Sequence, residues 1–536
     1  MDPRALPPIN RSGAARRFRG ATAGSLAAIL VTALLLAPLA WAWMPEGSAG
    51  PARVTVLPGI PWKTLAVSLA VTATAGALAV IIGAALAAAL VLTDLPGRAF
   101  WATVALVPFV CPATVWALGQ AYCYGSGGLM ERCWPAAWHG LRAFSDPRHY
   151  IATCLVLAGV HAPLAMLIIG RGLGRLQHAG LEAAALFLTP WARVRWAAGA
   201  IRQEVAAAFL LVLALGLGNF GVPHVLQCPL YSNEIYLRVA NYLDHAGAMQ
   251  AALPLLAVTV AAAAAIAWAE RKTAYVQAHP APPPARVRLG RKAWLVGGLL
   301  TAYLAGTSLL PTAAIIGECR SPGSFLKVVS DAAEETENTL WIALAASLVA
   351  CLAGVVVGSW VGRSWRVGLD AVTMAPLGVP ALILGLAYLR FFNAWLPAGW
   401  ALVGSGPLVL AMAARGWPFT TRLIVAARRR IAPEWQEAAE LAGPGSVARW
   451  RRIDGPMILD HAVAGAVVAF VLAVGDVEIS HLLSSPGSGT LAMRLFTFLH
   501  FGPTHVAAGL SLLLLALAAA PVIVYFLLTD RCLRII

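Results

Sequence analysis

Charged residues are scarce in this chain, and acidic ones are the scarcest. Only 12% of the 536 residues are Asp, Glu, Lys or Arg, and 39 basic side chains outnumber 24 acidic ones. A soluble chain of this length would form about three or four domains with charged surfaces. The mean hydropathy is instead +0.75, and apolar runs recur that are long enough to cross a hydrocarbon core of ~30 Å. The sequence therefore predicts an all-α polytopic membrane protein.

About twelve apolar runs are candidates for membrane-spanning helices. They lie at 20–43, 64–92, 98–120, 149–170, 204–223, 249–268, 293–315, 338–361, 367–391, 399–420, 457–480 and 504–528. A buried helix of a soluble protein explains any one run, but not the whole set. If the N-terminus is cytoplasmic, four cytoplasmic segments hold 5, 5, 6 and 7 Lys or Arg, which is 23 of the 39: 1–19, 171–203, 269–292 and 421–456. The positive-inside rule then places both termini in the cytoplasm.

Other familiar signals are missing. The net charge of +15 follows this topology, and no basic patch interleaved with aromatics indicates nucleic acid. No G-x-x-x-x-G-K-[ST] sequence occurs, so the chain has no phosphate-binding loop of its own and no cofactor is expected. The eight cysteines form no CxxC pair and no metal-ligand spacing. Cys123 and Cys133 share one predicted outward loop, where a disulfide and two free thiols are both open.

The chain repeats itself across a Pro- and Arg-rich linker at 269–292. "TLAVSLAVTATAGALAVIIGAALA" from Thr64 matches "TLWIALAASLVACLAGVVVGSWVG" from Thr339, which pairs Gly83 with Gly358. Six spans separate the copies, and an even number of crossings restores orientation. We therefore predict a cytoplasmic N-terminus at 1–19 and two six-helix halves of parallel topology, at 20–268 and 293–536.

Paired prolines and a few polar residues mark a candidate passage. "PFVCPATVWALG" matches "PLGVPALILGLA" at an offset of 268, and a mid-span proline breaks the helical hydrogen-bond ladder. Ionisable or polar groups in a span are functional candidates, although at a helix end they may simply be solvated. The passage and gating candidates are Pro108, Pro112, Pro376, Pro380, Asp476, Glu478 and Asn219.

A charged segment, "EWQEAAELAGPGSVARWRRIDGP" from Glu434, interrupts the second half. Its first part predicts a short helix with a small, smooth face, which Gly443 ends before a second, amphipathic helix begins. The first half carries a related loop, "LEAAALFLTPWARVRWAAGAI", with Leu188 where the glycine would stand. Such a helix–turn–helix is suited to docking a partner. The alternative is an amphipathic helix that lies on the membrane surface.

This segment resembles the EAA loop of binding-protein-dependent ABC import permeases, a motif of Glu-Ala-Ala, a glycine and a terminal Ile-x-x-Pro pattern. The resemblance implies a type I importer permease fold, a cytoplasmic ATPase dimer that binds ATP, a periplasmic solute-binding protein and a bacterial inner membrane. The implied coupling residues are Glu437, Ala438, Ala439, Gly443, Ile453 and Pro456, with Glu182, Ala183 and Ala184 in the first half. The fused halves and the loops around "ISHLLSSPGSGTLAMRLFTFLHFG" and "GNFGVPHVL" look like those of iron(III)-type permeases.

Iron(III) is therefore the first expectation for the solute, with thiamine, polyamine and phosphonate as alternatives. No set of hard oxygen ligands for iron can be assembled from the sequence. An ion-coupled secondary transporter would also show repeats and broken spans, but it should carry paired acids or an Asp/His relay in mid-membrane. A membrane enzyme would need a clustered catalytic set. The sequence favours a transport component that is not an enzyme.

Overall fold

The protein is an all-α membrane protein, as predicted. The computed structural model describes residues 11–42, 60–135, 150–176, 178–242, 244–274, 286–364, 372–373, 376, 379–395, 404–429, 431, 435 and 446–529. Within these ranges the chain forms helices and no strand, apart from an isolated bridge between Thr93 and Val287.

Thirteen helices described before the linker are numbered here in chain order. They are α1 (Arg11–Ala42), α2 (Trp62–Leu92), α3 (Arg98–Val104), α4 (Val107–Val110), α5 (Ala113–Tyr124), α6 (Leu129–Cys133), α7 (Tyr150–Leu173), α8 (His178–Phe187), α9 (Pro190–Ala200), α10 (Arg202–Leu217), α11 (Gly221–Val225), α12 (Tyr231–Ala240) and α13 (His245–Ala274).

The helices described after the linker continue the numbering. They are α14 (Ala293–Leu304), α15 (Leu310–Glu318), α16 (Pro322–Asp331), α17 (Ala333–Ser364), α18 (Ala381–Trp395), α19 (Gly406–Arg429), α20 (Ser446–Arg449), α21 (Gly455–Val474), α22 (Val477–Leu483), α23 (Leu491–Phe501) and α24 (Thr504–Thr529). Single π-helical turns join α14 to α15 and α20 to α21.

Each of the twelve predicted runs overlaps a helix, but not every helix is long and apolar enough to span on its own. Among the described residues, seven helices meet that criterion, and two bent helix pairs raise the number to nine. The remaining runs differ for two reasons. The described apolar stretches Ser25–Trp41 and Ala381–Trp395 are short, and α19 carries four arginines within its 24 residues.

The matched glycines of the repeat lie where two long helices cross closely. A Cβ added at Gly83 of α2 would lie 2.7 Å from Ala165 Cβ in α7. A Cβ added at Gly358 of α17 would lie 2.9 Å from the Thr421 carbonyl oxygen in α19. Helices in lipid associate through close packing, because lipid supplies no hydrophobic drive between them. The two glycines therefore serve the same purpose at corresponding crossings.

The first span of each half packs against the opposite half. Helix α1 contacts α17, α18 and α19, whereas the α14–α15 region contacts α4, α5 and α7. Tyr388 Oη donates to the Leu35 carbonyl oxygen at 2.9 Å, and Gln120 Nε2 donates to the Gly306 carbonyl oxygen at 2.9 Å. Tyr388 and Gln120 are 268 residues apart, which is the offset of the proline repeat. The halves thus embrace each other through matched contacts.

Gly83→Ala should destabilise the protein, because its new methyl group meets the α7 backbone and Ala165. Overpacking of this kind costs about 1–3 kcal/mol. The matched control is Gly298→Ala in α14, since nothing lies within 4 Å of an added Cβ there. We expect the thermal unfolding midpoint in detergent to fall for Gly83→Ala and to hold or rise for Gly298→Ala. Equal midpoints for both variants would contradict the close α2–α7 crossing.

Candidate functional site

Two predicted spans end earlier than expected, at matching places. The predicted spans 204–223 and 457–480 were wrong to run straight, because α10 stops at Leu217 and α21 stops at Val474. A short helix follows each break. Asn219 Oδ1 accepts from Val222 N at 2.9 Å, and Asp476 Oδ1 accepts from Ile479 N at 2.8 Å. Two of the predicted passage residues therefore cap the short helices that follow the breaks.

These breaks meet the predicted prolines of the opposite half. A Cβ added at Gly475 would lie 2.8 Å from Pro112 Cγ, and one added at Gly218 would lie 3.3 Å from Pro380 Cα. Pro112 stands at a 93° bend between Arg98–Val110 and Ala113–Cys133, and α18 begins directly after Pro380. We call this meeting of helix breaks between the halves the seam.

The other two prolines bond within their own halves. The Pro108 carbonyl oxygen accepts from Trp116 Nε1 at 2.8 Å. Pro376 is buried, and its carbonyl oxygen accepts from Val379 N at 3.3 Å. Of the four prolines, Pro112 and Pro380 are therefore the two that the structure brings to the seam.

An arginine that sequence analysis missed lies beside the seam. Arg415 Nη1 of α19 bonds to Asp476 Oδ2, and it lies 3.9 Å from Glu478 Oε2. The carboxylate side chains are almost fully buried, at 1% and 9% exposure. An arginine inside an apolar helix is a signal that could have identified it, because intramembrane ionisable residues mark functional sites by default.

Glu478 links the two halves across the seam. Its Oε1 accepts from the backbone N–H of Phe220 at 2.9 Å. Among the residues that the structure describes, its second oxygen, Oε2, is buried and receives no hydrogen bond. Arg415 bonds to Asp476 rather than to Glu478, so Glu478 is the less well compensated of the two acids.

Aromatic and imidazole rings from both halves pack beside this contact. His224 stacks on Phe496 with centroids 4.8 Å apart, and Tyr236 Oη lies 3.2 Å from His481 Nε2. The Phe220 ring lies 4.4 Å from Tyr236 and 5.9 Å from Phe496. His224 and Tyr236 belong to the first half, whereas His481 and Phe496 belong to the second. We call these five rings the ring layer.

The loop at 171–203 forms the predicted helix–turn–helix although it lacks the glycine. Helix α8 ends at Phe187, and Thr189 Oγ1 accepts from Ala192 N at 3.4 Å at the start of α9. Of the predicted coupling residues in α8, Glu182 and Ala183 are exposed and Ala184 is buried. The Thr-Pro pair therefore supplies the turn.

An ion pair closes the base of this loop. Arg175, just after α7, bonds through Nη1 to Glu204 Oε1 at 2.9 Å, near the start of α10. Sequence analysis did not single out this pair, because its partners are 29 residues apart. It fixes where the loop leaves one span and enters the next.

The loop at 421–456 is closed in the same way. Its predicted coupling residues Glu437, Ala438, Ala439 and Gly443 lie outside the described residues. Ile453 is half-buried in the π-helical turn, and Pro456 is exposed in the first turn of α21, where its missing N–H has no helical partner to lose.

A buried ion pair holds the base of this second loop. Arg428 Nη1 at the end of α19 lies 2.6 Å from Asp454 Oδ1, and both side chains are at most 4% exposed. Arg449 Nε lies 3.8 Å from the other oxygen of Asp454. Each loop thus has a basic–acidic clamp between the span before it and the span after it.

The metal and cysteine expectations concern the described ranges only. There, no group of three or more His, Cys, Asp or Glu side chains could hold a metal ion. Cys123 is buried, Cys133 is exposed, and both thiols are free. The disulfide alternative between them is therefore not realised in this structure.

Asp454→Ala should destabilise the protein strongly, because Arg428 would remain buried without its carboxylate. Removing one partner of a buried pair costs about 3–5 kcal/mol. Replacing both partners together, as Arg428→Met with Asp454→Leu, should recover most of the loss in thermal midpoint. Glu318→Ala is the control, since its partner Arg132 is 61% exposed and such pairs contribute about 0–1 kcal/mol. A double variant no better than Asp454→Ala would contradict the clamp.

Comparison with known proteins places the chain among transport permeases. It is 29% identical over 194 residues to a probable molybdenum ABC transporter permease protein of Haloferax volcanii, covering 34% of this chain and 69% of that protein. It is 29% identical over 183 residues to a putrescine transport system permease protein of Escherichia coli K12, covering 33% and 65%. A glycine betaine transport system permease protein of Bacillus subtilis is 25% identical over 182 residues, covering 34% and 61%. No protein-family profile matches the chain.

The lengths of these relatives bear on the organisation of the chain. A match of 194 residues that is 69% of the Haloferax protein gives that protein about 281 residues, roughly half of this chain's 536. The chain is thus long enough for two fused permease halves. It is a multi-pass membrane protein homologous to the permease components of ABC transporters, which are not enzymes.

Proposed function

We propose that this chain is the complete permease of an ATP-binding-cassette importer in a bacterial inner membrane. Its two halves form one passage, both termini are cytoplasmic, an ATPase dimer docks from the cytoplasm, and a periplasmic binding protein delivers the solute. ATP binds the partner ATPase and not this chain. The similarity to three ABC permease proteins is the observation that carries the proposal.

The geometry supports a route from the docking loops to the passage. In the first half, the Arg175–Glu204 clamp lies at the start of α10, and the other end of α10 is the seam. In the second half, Asp454 immediately precedes α21, which also ends at the seam. At 1.5 Å per residue these helices are about 24 and 30 Å long. A loop displaced by its ATPase would therefore push or tilt a helix whose far end faces the opposite half.

The solute within this proposal is iron(III), from the resemblance of the fused halves and outer loops to iron(III)-type permeases. The relatives' names cover molybdenum, putrescine and glycine betaine, so similarity alone gives iron no preference. A binding protein that delivers iron would recognise it, and the permease would need only a passage that does not retain it.

Glu437→Lys should abolish coupling, because it reverses the charge of the predicted docking helix. In proteoliposomes with the partner ATPase and binding protein, we expect solute-stimulated ATP hydrolysis to fall to the basal rate. Gly443→Val should do the same, since a β-branched residue is strongly disfavoured where a helix ends at positive φ. Glu318→Lys, far from both loops in sequence, is the charge-reversal control.

Unchanged stimulation in both loop variants would remove the docking role. Uptake driven by an ion gradient without ATP would indicate a secondary transporter instead.

The two loops should tolerate damage unequally, because the first lacks the motif glycine. We expect Glu182→Lys to reduce uptake less than Glu437→Lys at equal membrane abundance. Initial uptake rates, normalised to the amount of inserted protein, measure the difference. The opposite order would show that loop sequence does not determine coupling strength in this permease.

A further inference from the structure

We propose that Glu478 binds two partners in turn: the Phe220 amide while the seam is closed, and the positively charged nitrogen of an organic ammonium solute while it is open. The inference rests on the proposed import function and adds a solute class to it. Amines, quaternary ammonium compounds and thiazolium-type cations share this chemistry.

The charge balance of the seam is the first argument. Arg415 bonds to Asp476, while its Nη1 atom lies 3.9 Å from Glu478. The cluster therefore holds two carboxylates and one guanidinium. Opening the seam separates Glu478 from Phe220, which belongs to the other half, but leaves Arg415 and Asp476 together in the second half. The carboxylate that faces the opened passage is then Glu478.

The unbonded carboxylate oxygen is the second argument. Glu478 is 7% exposed, and within the described part of the chain its Oε2 receives no hydrogen bond. A buried acceptor left unsatisfied is costly and calls for an explanation. A donor that arrives with the solute supplies one, because an ammonium N–H bonds to this oxygen without displacing Arg415 from Asp476.

The ring layer is the third argument. Phe220, Tyr236 and Phe496 present aromatic faces beside Glu478, because the Phe220 N–H itself bonds to that carboxylate. Aromatic faces attract organic cations, by up to about 2 kcal/mol when the site is dry. A carboxylate beside several such rings is the usual way in which proteins recognise ammonium groups.

The same site suits other solute classes poorly. An oxyanion needs donors, and the Arg415 guanidinium already bonds to Asp476. Iron(III) needs several hard oxygen ligands at once, and the described residues contain no cluster of three or more metal-ligating side chains. The seam therefore favours an organic cation over molybdate or free iron(III).

The test uses the full chain reconstituted with its ATPase and binding protein in proteoliposomes. Labelled putrescine, glycine betaine and thiamine probe the ammonium class, and molybdate and ferric citrate probe the other two. We expect ATP-dependent uptake of at least one ammonium probe and of neither other compound. Glu478→Gln keeps an acceptor for the Phe220 amide but loses the charge, so this uptake should fall about tenfold or more.

Two further variants make the result specific. Glu318→Gln removes a carboxylate that pairs with Arg132 away from the seam, and its uptake should equal that of the wild type. Phe496→Leu removes one ring of the layer and should lower ammonium uptake about threefold or more. Should Glu478→Gln fail to insert, Phe496→Leu carries the test.

Three results would overturn the inference: no uptake of any ammonium probe, uptake of molybdate or ferric citrate instead, or equal ammonium uptake by the wild type and both seam variants. Failure of the import function is recognised separately. In that case the chain would neither bind the ATPase nor change its ATP hydrolysis, whatever solute is supplied.

Discussion

Within a bilayer, a backbone N–H or C=O outside a helix has no water to bond, and each unbonded group costs several kcal/mol. Breaks in the spans are therefore tolerated only where protein covers them. Here the breaks after Leu217 and Val474 lie against the prolines of the opposite half. Prolines suit this place because they lack the N–H that would need a partner. The need to cover broken backbone thus brings the two halves together at the seam.

The matched positions of the seam differ in chemistry. Asn219 and Asp476 cap corresponding short helices, yet one is neutral and the other acidic. Val160 precedes Pro163 by three residues, as Arg415 precedes Pro418, so the arginine has an apolar counterpart. The second half therefore holds the charges, while the first half contributes the Phe220 amide. An approximately symmetric scaffold thus has an asymmetric site, which suits a solute that has no twofold symmetry.

The sequence was sufficient to predict helices from hydropathy and the break at Pro112 from proline chemistry. It also paired Gly83 with Gly358, and both glycines lie at close helix crossings. Arg415 was missed because a scan for apolar runs averages one charge away. The clamps were missed because partners such as Arg428 and Asp454 are distant in sequence and meet only when spans pack. Contacts of this kind depend on tertiary packing, which no local pattern contains.

The exchange of first spans between the halves also affects how the protein is made. Leu35 bonds to Tyr388, which lies 353 residues further along the chain. At roughly 5–20 residues per second, ribosomes need on the order of 20–70 s to reach that partner. During this interval α1 is in the membrane without the surface that it finally covers. Its many outward Leu and Ile side chains, such as Leu26, Leu30 and Leu34, keep it compatible with lipid while it waits.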